Sequence, residues 1–245
     1  MWPFTHKKSL YELGALQGLS DHHSHVLPGV DDGFRTTSDS LAALKAFEQD
    51  GVAHLWLTPH IMEDYPNTTS DLRERFGRLC EAYAAEAGDK PVRLHLAAEY
   101  MLDTLFARRL ADRDLLTLDN DGLLLVETSY FNAPANLYSL LEEIASAGYR
   151  PLLAHPERYM YMGPSDYTRL HDMGVRLQFN IVSACGCYGP EVQSRAESLL
   201  RKGYYSYAGN DMHSLRSTRM CLERPIKASV ARMAIELINQ QNNRL

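Results

Sequence analysis

The chain has 245 residues, 45% hydrophobic and 23% charged, with a formal net charge of −6. A chain of that size and composition can bury a sizeable core, and a single domain over 1–245, with 1–17 as an N-terminal extension, is expected. The acidic balance offers no broad basic field for nucleic acid or an anionic membrane surface. No run approaches the roughly 20 apolar residues of a spanning helix, and "MWPFTHKKSLYELG" has no apolar signal-peptide core, so a cytoplasmic protein without membrane insertion is expected.

In chain order, short apolar or β-branched runs alternate with longer amphipathic segments. "GLSDHHSH" (18–25) predicts the first strand and "TTSDSLAALKAFEQDG" (36–51) the first helix. Strand 52–60 ("VAHLWLTPH") and helix 68–88 follow, then strand 92–100 ("VRLHLAAEY") and helix 103–114. Strand 122–130 ("GLLLVETSY") precedes helix 136–148, strand 150–158 ("RPLLAHPER") helix 165–174, and strand 175–183 ("VRLQFNIVS") helix 190–203. Strand 204–213 ("YYSYAGNDMH") and helix 227–242 close the series. Ser or Thr before several first turns, and Gly51, Gly88, Gly148, Gly174 and Gly203 after last ones, are start and stop signals. Seven strands alternating with helices imply parallel βαβ units, closed as a (β/α) barrel or open as a doubly wound sheet.

The polar residues favour the barrel. His23, His25, His60, Glu99, Glu127, His155, Asp211 and His213 fall at or near the C-terminal ends of six of the seven strands, the rim where such barrels build active sites. Within the first strand Asp21, His23 and His25 alternate onto one face, so a His-x-His pair could grip a metal while Asp21 hydrogen-bonds one of the ligands. A lone His-x-His means little; its repetition by "TPH", "AAE", "LVE", "LAHPER" and "GNDMH" after apolar strands carries the weight. Imidazole and carboxylate without thiolate suit Mn²⁺, Fe²⁺ or Zn²⁺. Eight donors exceed one ion's needs, so two or three divalent metals and hydrolytic chemistry are expected.

His6, His22, His54, His95 and His171 read as surface or packing residues. Arg158, three residues after His155, is balanced between a phosphate ligand and a surface salt bridge; Arg216 and Arg219 favour the salt bridge. Cys80, Cys185, Cys187 and Cys221 are neither in CxxC pairs nor dense enough for a disulfide framework, and read as structural or incidental. None has an arginine six positions later, so the Cys-x5-Arg loop of thiol-dependent phosphatases is missing.

"DHHSHVLPGVDDG", "TPH", "AAEY", "VETS", "AHPERY" and "NDMHS", in this order and over nearly the whole chain, resemble the polymerase-and-histidinol-phosphatase (PHP) superfamily. More closely, they resemble the metal-dependent protein tyrosine phosphatases encoded with bacterial capsule and exopolysaccharide genes. The resemblance implies a distorted (β/α)7 barrel with a three-metal site, often manganese-dependent. It would place His23, His25, Glu99 and Asp211 around one metal, with Glu99 bridging to a second held by Glu127 and His155. His60 and His213 would serve the third, with Asp31 as a further ligand. Arg158 and Arg219 would match the family's phosphate-binding arginines, although the "SLRSTRMC" stretch departs from the usual pattern and leaves Arg216 and Arg219 as alternatives. The implied substrate is phosphotyrosine on the tail of a bacterial tyrosine autokinase, hydrolysed by a metal-activated hydroxide. Two rivals stand beside this reading: a small-molecule phosphatase such as one acting on histidinol phosphate, and a non-catalytic scaffold in a polysaccharide assembly complex. The last helix and the N-terminal stretch could each support a homo-oligomer or be solvated faces.

Overall fold

A computed structural model describes residues 7–243 of the chain; His6 and the first part of the N-terminal stretch lie outside them. The elements in chain order are β1 (Lys8–Ser9), β2 (Ser20–Asp21), α1 (Thr37–Gln49), β3 (His54–Leu57), β4 (His60–Ile61), α2 (Thr69–Ala84), β5 (Arg93–Leu96), β6 (Glu99–Met101) and α3 (Thr104–Asp112). There follow β7 (Leu123–Glu127), α4 (Leu137–Ser146), β8 (Arg150–Leu153), a 3-10 turn (Pro156–Arg158), α5 (Pro164–Asp172), β9 (Arg176–Asn180) and α6 (Ile181–Ala184). Last come α7 (Pro190–Lys202), β10 (Tyr205–Gly209), α8 (Leu215–Leu222), β11 (Pro225–Ile226) and α9 (Ala228–Asn242).

The helices start where side chains can satisfy their first amides. Thr36, Thr68 and Asp103 stand in extended backbone and accept from the amides of Asp39, Asp71 and Phe106. At the other end of α7, Gly203 (φ +69°) takes the left-handed turn that a Cβ would resist. β7, "LLLVE", is buried along its whole length: Leu123 and Leu125 pack in one apolar cluster, and Leu124 and Val126 in another. Burial on both faces is the mark of a strand inside a parallel sheet.

The fold is mixed α/β with parallel sheets. One sheet has the order β10-β9-β8-β7-β6-β4 and a second β2-β3-β5, all pairs parallel, while β1 and β11 form a small antiparallel pair. The predicted strands 52–60 and 92–100 are each broken, so their first halves (β3, β5) pair in one sheet and their last halves (β4, β6) in the other. Pro59 interrupts the first, since it has no N–H for the ladder. At the other flank Ser24 bridges Met212 in parallel, Asp211 N donates to His23 O, and His25 N donates to Met212 O. Gln241, fully buried on α9, clasps the same seam: its Nε2 donates to Ser20 O while its Oε1 accepts from Ala208 N. The apolar face of α9 (Val230, Ala234, Leu237, Ile238) is thus packed within the chain itself. From residue 8 the N-terminal segment also joins the body, through β1 and the buried Leu10 and Leu16. No helix among the described residues is long and apolar enough to cross a membrane.

Candidate metal centre

Strand register explains why donors distant in sequence meet. In the β4–β6 pairing His60 sits directly beside Glu99, and in β6–β7 Met101 sits beside Glu127. His155 follows the end of β8, Asp211 the end of β10, and the Ser24–Met212 bridge lays His23 and His25 against Asp211 and His213. Glu127 thus closes β7, while His60 and Glu99 open β4 and β6, the second halves of the two strands broken after Leu57 and Leu96.

Three groups of donor atoms result. In the first, His23 Nε2 lies 3.1 Å from His25 Nε2, 3.1 Å from Glu99 Oε2 and 3.4 Å from Asp211 Oδ1, while His25 Nε2 lies 3.4 Å and 3.3 Å from the same two oxygens. Donors bound at about 2.0–2.2 Å to one tetrahedral ion stand about 3.3–3.6 Å apart, so this spacing fits a metal with little movement. In the second group His60 Nδ1 lies 3.2 Å from Glu99 Oε2 and 3.0 Å from Glu127 Oε1, yet these three buried atoms make no hydrogen bond with one another. Buried polar atoms left this way are costly unless something else binds them. His155 Nε2, 3.0 Å from Glu99 Oε1 and 4.0 Å from Glu127 Oε2, borders this group. The third comprises His25, Asp32, His60 and His213, with Asp32 Oδ1 3.5 Å from His60 Nε2 and 3.3 Å from His213 Nε2.

Asp31 stands behind this constellation. Its fully buried carboxylate accepts from His25 Nδ1 (2.8 Å), the Gly33 amide (2.9 Å) and the His60 amide (3.0 Å), and Asp32 takes the place beside His60 and His213 expected for it. The chain turns tightly here, and a Cβ on Gly33 would lie 2.2 Å from His25 O. Asp21 does hydrogen-bond a ligand residue, but through the backbone: its Oδ1 accepts from the amides of His23 and Asn210. The oxygen that meets His23 Nδ1, at 2.7 Å, is Oε1 of Gln178, and Asn180 Nδ2 donates to Asp211 Oδ2 at 3.0 Å. Gln178 and Asn180 were legible only as two alternating polar residues in an apolar strand.

The electrostatics suit cations. Burial opposes charge on His23, but Glu99 and Asp211 beside it carry its imidazole up to about 9. His25 is likewise raised despite burial, by Asp211 and Asp31, and His60 by Glu99 and Glu127. Burial pushes the Glu99 and Asp211 carboxyls up, yet the surrounding imidazoles hold both well below the usual range. Protons thus neutralise a cluster in which the carboxylates of Asp31, Asp32, Glu99, Glu127 and Asp211 converge, the task a divalent ion performs on neutral imidazoles. His155 (φ 34°) and Asp211 (φ 52°) both hold left-handed backbone, a conformation that non-glycine residues concentrate at functional sites.

The donors open into a cavity of about 740 Å³ whose lining includes Asp32, His60, Glu127, Asp211 and His213, with Tyr65, Tyr130, Phe131 and Tyr188 near them. Arg158 lines it too, its Nη1 donating to Asp211 Oδ2 at 2.8 Å and its guanidinium lying 4.2 Å from the ring centres of both Tyr130 and Tyr188. Arg219 does not. The stretch after His213 forms α8, capped by Ser214, and turns Arg219 away to donate to Tyr11 Oη (2.7 Å) and Asp50 (3.0 Å); Arg216, on the same helix, is exposed and also outside the cavity. The phosphate role expected of Arg219 is corrected by that ion pair. A disulfide joins Cys187 to Cys221 at the cavity wall, 34 residues apart, a pairing that cysteine spacing did not suggest; Cys80 and Cys185 are free. Of the remaining histidines, His22 stacks on Trp56 at 4.2 Å, burial depressing its imidazole to about 3, and His54 and His95 hydrogen-bond each other at 2.9 Å. His171 is exposed on α5.

Parallel strands that gather imidazoles and carboxylates beside one cavity define an α/β protein with side-chain groups that could hold metal ions. The chain belongs to the family described as capsular polysaccharide synthesis, CpsB/CapC, whose model matches residues 19–240. It is 26% identical over 202 residues to the tyrosine-protein phosphatase YwqE of Bacillus subtilis, covering 81% of this chain and 79% of the relative. It is 28% identical over 207 residues to the tyrosine-protein phosphatase CpsB of Streptococcus pneumoniae, covering 81% and 84%. Its fold is similar, with TM-score 0.76 and 24% identity over 91% of this chain and 95% of the other, to a solved structure from work on YwqE and CpsB that calls them metal-dependent tyrosine phosphatases.

Proposed function

We propose that this chain is a metal-dependent protein tyrosine phosphatase, acting on phosphotyrosine in the tail of a bacterial tyrosine kinase that governs capsule or exopolysaccharide production. The observation that carries the reading is Glu99, a buried carboxylate that faces His23, His25 and His60 through one oxygen and His155 through the other, and whose neighbours His60 and Glu127 line an aromatic-lipped cavity. The proposed ligands are His23, His25, Asp32, His60, Glu99, Glu127, His155, Asp211 and His213, for two or three divalent ions, with manganese the first to test. Ions held there would supply Lewis acidity toward phosphoryl oxygens and activate a water at neutral pH. The fold is read as a distorted (β/α)7 barrel: the broken strands stitch the two sheets together on one side, and the Ser24–Met212 seam joins them on the other.

The chain's own residues set the rest. Asp31 and Gln178 each meet a ring nitrogen, Nδ1, of His25 and His23, leaving the Nε2 atoms for the centre. Arg158 spends one N–H on Asp211 and retains others for phosphoryl oxygens, which a planar guanidinium can hold in pairs. Because phosphoryl transfer asks mainly for positioning and electrostatics, and a phenol leaves with a pKa of about 10, no strong acid is required. Phe131, 86% exposed at the mouth, and the Tyr65, Tyr130 and Tyr188 rings suit an aryl phosphate presented on a peptide. The experiment is metal analysis of the purified protein together with phosphate release from a phosphotyrosine peptide and from histidinol phosphate, with added Mn²⁺ and with chelator. Chelator-sensitive release that prefers the peptide is expected. Preference for histidinol phosphate moves the chain to a small-molecule phosphatase, and metal binding without hydrolysis of either leaves a scaffold.

A further inference from the structure

Arg158 is held between two tyrosines of unlike circumstances. Tyr130 is itself buttressed, its ring 5.6 Å from that of His155 and 5.8 Å from that of Tyr159. Tyr188, 37% exposed, sits on the short turn between α6 and α7, flanked by Gly186 (φ +74°) and Gly189 (φ +93°), whose backbone conformation gives the turn its sharp path. The neighbouring residue ties that turn covalently to α8, beside the hydrogen bond from Arg224 to Gly186 O: Cys187 is bonded to Cys221, and both half-cystines line the cavity with Tyr188 and Arg158. A disulfide beside a phosphate-binding arginine is a place where a two-electron change alters site geometry without touching a metal ligand.

We infer that Tyr188 is a positioning residue for Arg158, and that Cys187 and Cys221 form a reversible thiol–disulfide site that holds Tyr188 in that role. The inference rests on Arg158 as the phosphate ligand. With the disulfide closed, the guanidinium carbon stands 4.2 Å over the Tyr188 ring, which shields that side of the group from water and restrains it. Opening takes a dithiol reductant of the thioredoxin type. One of its thiolates attacks a sulfur of the pair, the Cys187–Cys221 bond breaks, and one cysteine leaves as a thiol; the second thiol of the reductant then closes its own disulfide and releases the other cysteine. Two electrons and two protons pass to the protein, and the turn carrying Tyr188 loses its covalent tie to α8. Reducing compartments keep most cysteine pairs open, so this pair would report on the local dithiol supply.

The test compares wild type, Tyr188→Phe, Tyr188→Leu, Cys221→Ser and Arg158→Ala, all with matched metal content. KM and kcat are measured on a phosphotyrosine peptide, inhibition by inorganic phosphate is titrated, and thiols are counted by alkylation and mass. Tyr188→Leu is expected to weaken phosphate inhibition and raise KM about fivefold, the scale of one partly exposed cation–π contact, with kcat changed far less, while Tyr188→Phe restores wild-type values. Dithiol treatment of the wild type should free two thiols and give the Tyr188→Leu pattern; Cys221→Ser should show that pattern untreated and ignore the dithiol, which also controls for metal chelation by the reductant. Equal phosphate inhibition in wild type and Tyr188→Leu, or a Phe variant as weak as the Leu variant, overturns the positioning role. Two freed thiols with unchanged kinetics overturn the thiol–disulfide part. If Arg158→Ala itself leaves phosphate inhibition unaltered, the failure lies in the assignment of Arg158 as phosphate ligand.

Discussion

Asp31 and Asp32 are adjacent, both acidic, and differently employed. The fully buried Asp31 carboxylate takes three hydrogen bonds, from His25 Nδ1, Gly33 N and His60 N. Burial pushes its carboxyl up, but the hydrogen bond and charge of His25 hold it below its ordinary value. In Asp31→Asn the side chain offers one acceptor oxygen where the carboxylate offered two, so an amide NH₂ must face either the Gly33 amide or the His25 and His60 donors. The imidazole of His25 then loses the partner that fixes its Nδ1 proton, and substitutions of this kind typically cost about 10- to 100-fold in metal affinity, or about 1.4–2.8 kcal/mol. Asp32 is half exposed, and its Oδ1 faces His60 and His213 directly. Asp32→Ala removes a donor outright and should lower stoichiometry at the third group. The assay is calorimetric titration of chelator-stripped protein with Mn²⁺, with bound metal counted by elemental analysis. We expect Asp31→Asn to keep the wild-type metal count at weaker affinity, and Asp32→Ala to lose metal equivalents. The reverse pattern, a lost equivalent in Asp31→Asn and full occupancy in Asp32→Ala, refutes the division of labour drawn from the geometry.

Other perturbations follow from the same contacts. Gly209→Ala would place a Cβ 2.5 Å from His23 Cβ and 3.0 Å from its backbone nitrogen, both part of the seam beside β10; an overpacking cost of about 1–3 kcal/mol should lower Tm by several degrees and weaken metal binding together. Arg158→Lys keeps a positive charge but loses the fork that reaches Asp211, and kcat/KM on a phosphotyrosine peptide should fall about 10- to 100-fold, with a neutral result counting against Arg158 as the phosphate ligand. Asp21 is pushed up to about 6 by burial, its Oδ2 without a hydrogen-bond partner, despite the amides of Asn210 and His23 on its other oxygen. A carboxyl whose folded value is raised binds its proton more tightly in the folded state, so its contribution is lost as pH rises from about 4 to about 6, by about 3 kcal/mol at most. Metal-free Asp21→Asn, with an amide that still accepts from both backbone groups, should lack this slope in denaturant titrations between pH 4 and 7, and an unchanged slope assigns it to other groups.

Much of this architecture was readable from residue patterns. Thr36, Thr68 and Asp103 announced their helices, and Gly51, Gly148, Gly174 and Gly203 end theirs in the left-handed backbone for which glycine is suited. The donors at strand ends were visible because apolar runs stopped on His or Glu where nothing in a strand required it. Local patterns failed where a nonlocal choice decided. "VRLQFNIVS" reads as one apolar strand, but Asn180 caps the Val182 amide and turns its end into α6. "SLRSTRMC" is short and polar, so its helical form, which swings Arg219 toward Asp50, left no periodic signature strong enough to read. Whether Asp31 or Asp32 faces the centre depends on a turn of the chain, and the Cys187–Cys221 bond on the packing of α8 against α6. Gln178 and Asn180 carry no motif at all; only the pairing of β9 with β10 brings them under His23 and Asp211.

The left-handed backbone at His155 and Asp211 bears on how readily the donor set could be exchanged for another metal. His60, Glu99 and Glu127 stand in strands, where swapping one donor type for another changes little in the main chain. Positions 155 and 211 already hold a conformation that costs non-glycine residues of order 1 kcal/mol or more, least for Asp and Asn and most for β-branched side chains. If the proposed centre holds metal, retuning it toward a softer or harder ion should therefore proceed through 60, 99 and 127, while 155 and 211 stay confined to few residue types by their torsion angles alone.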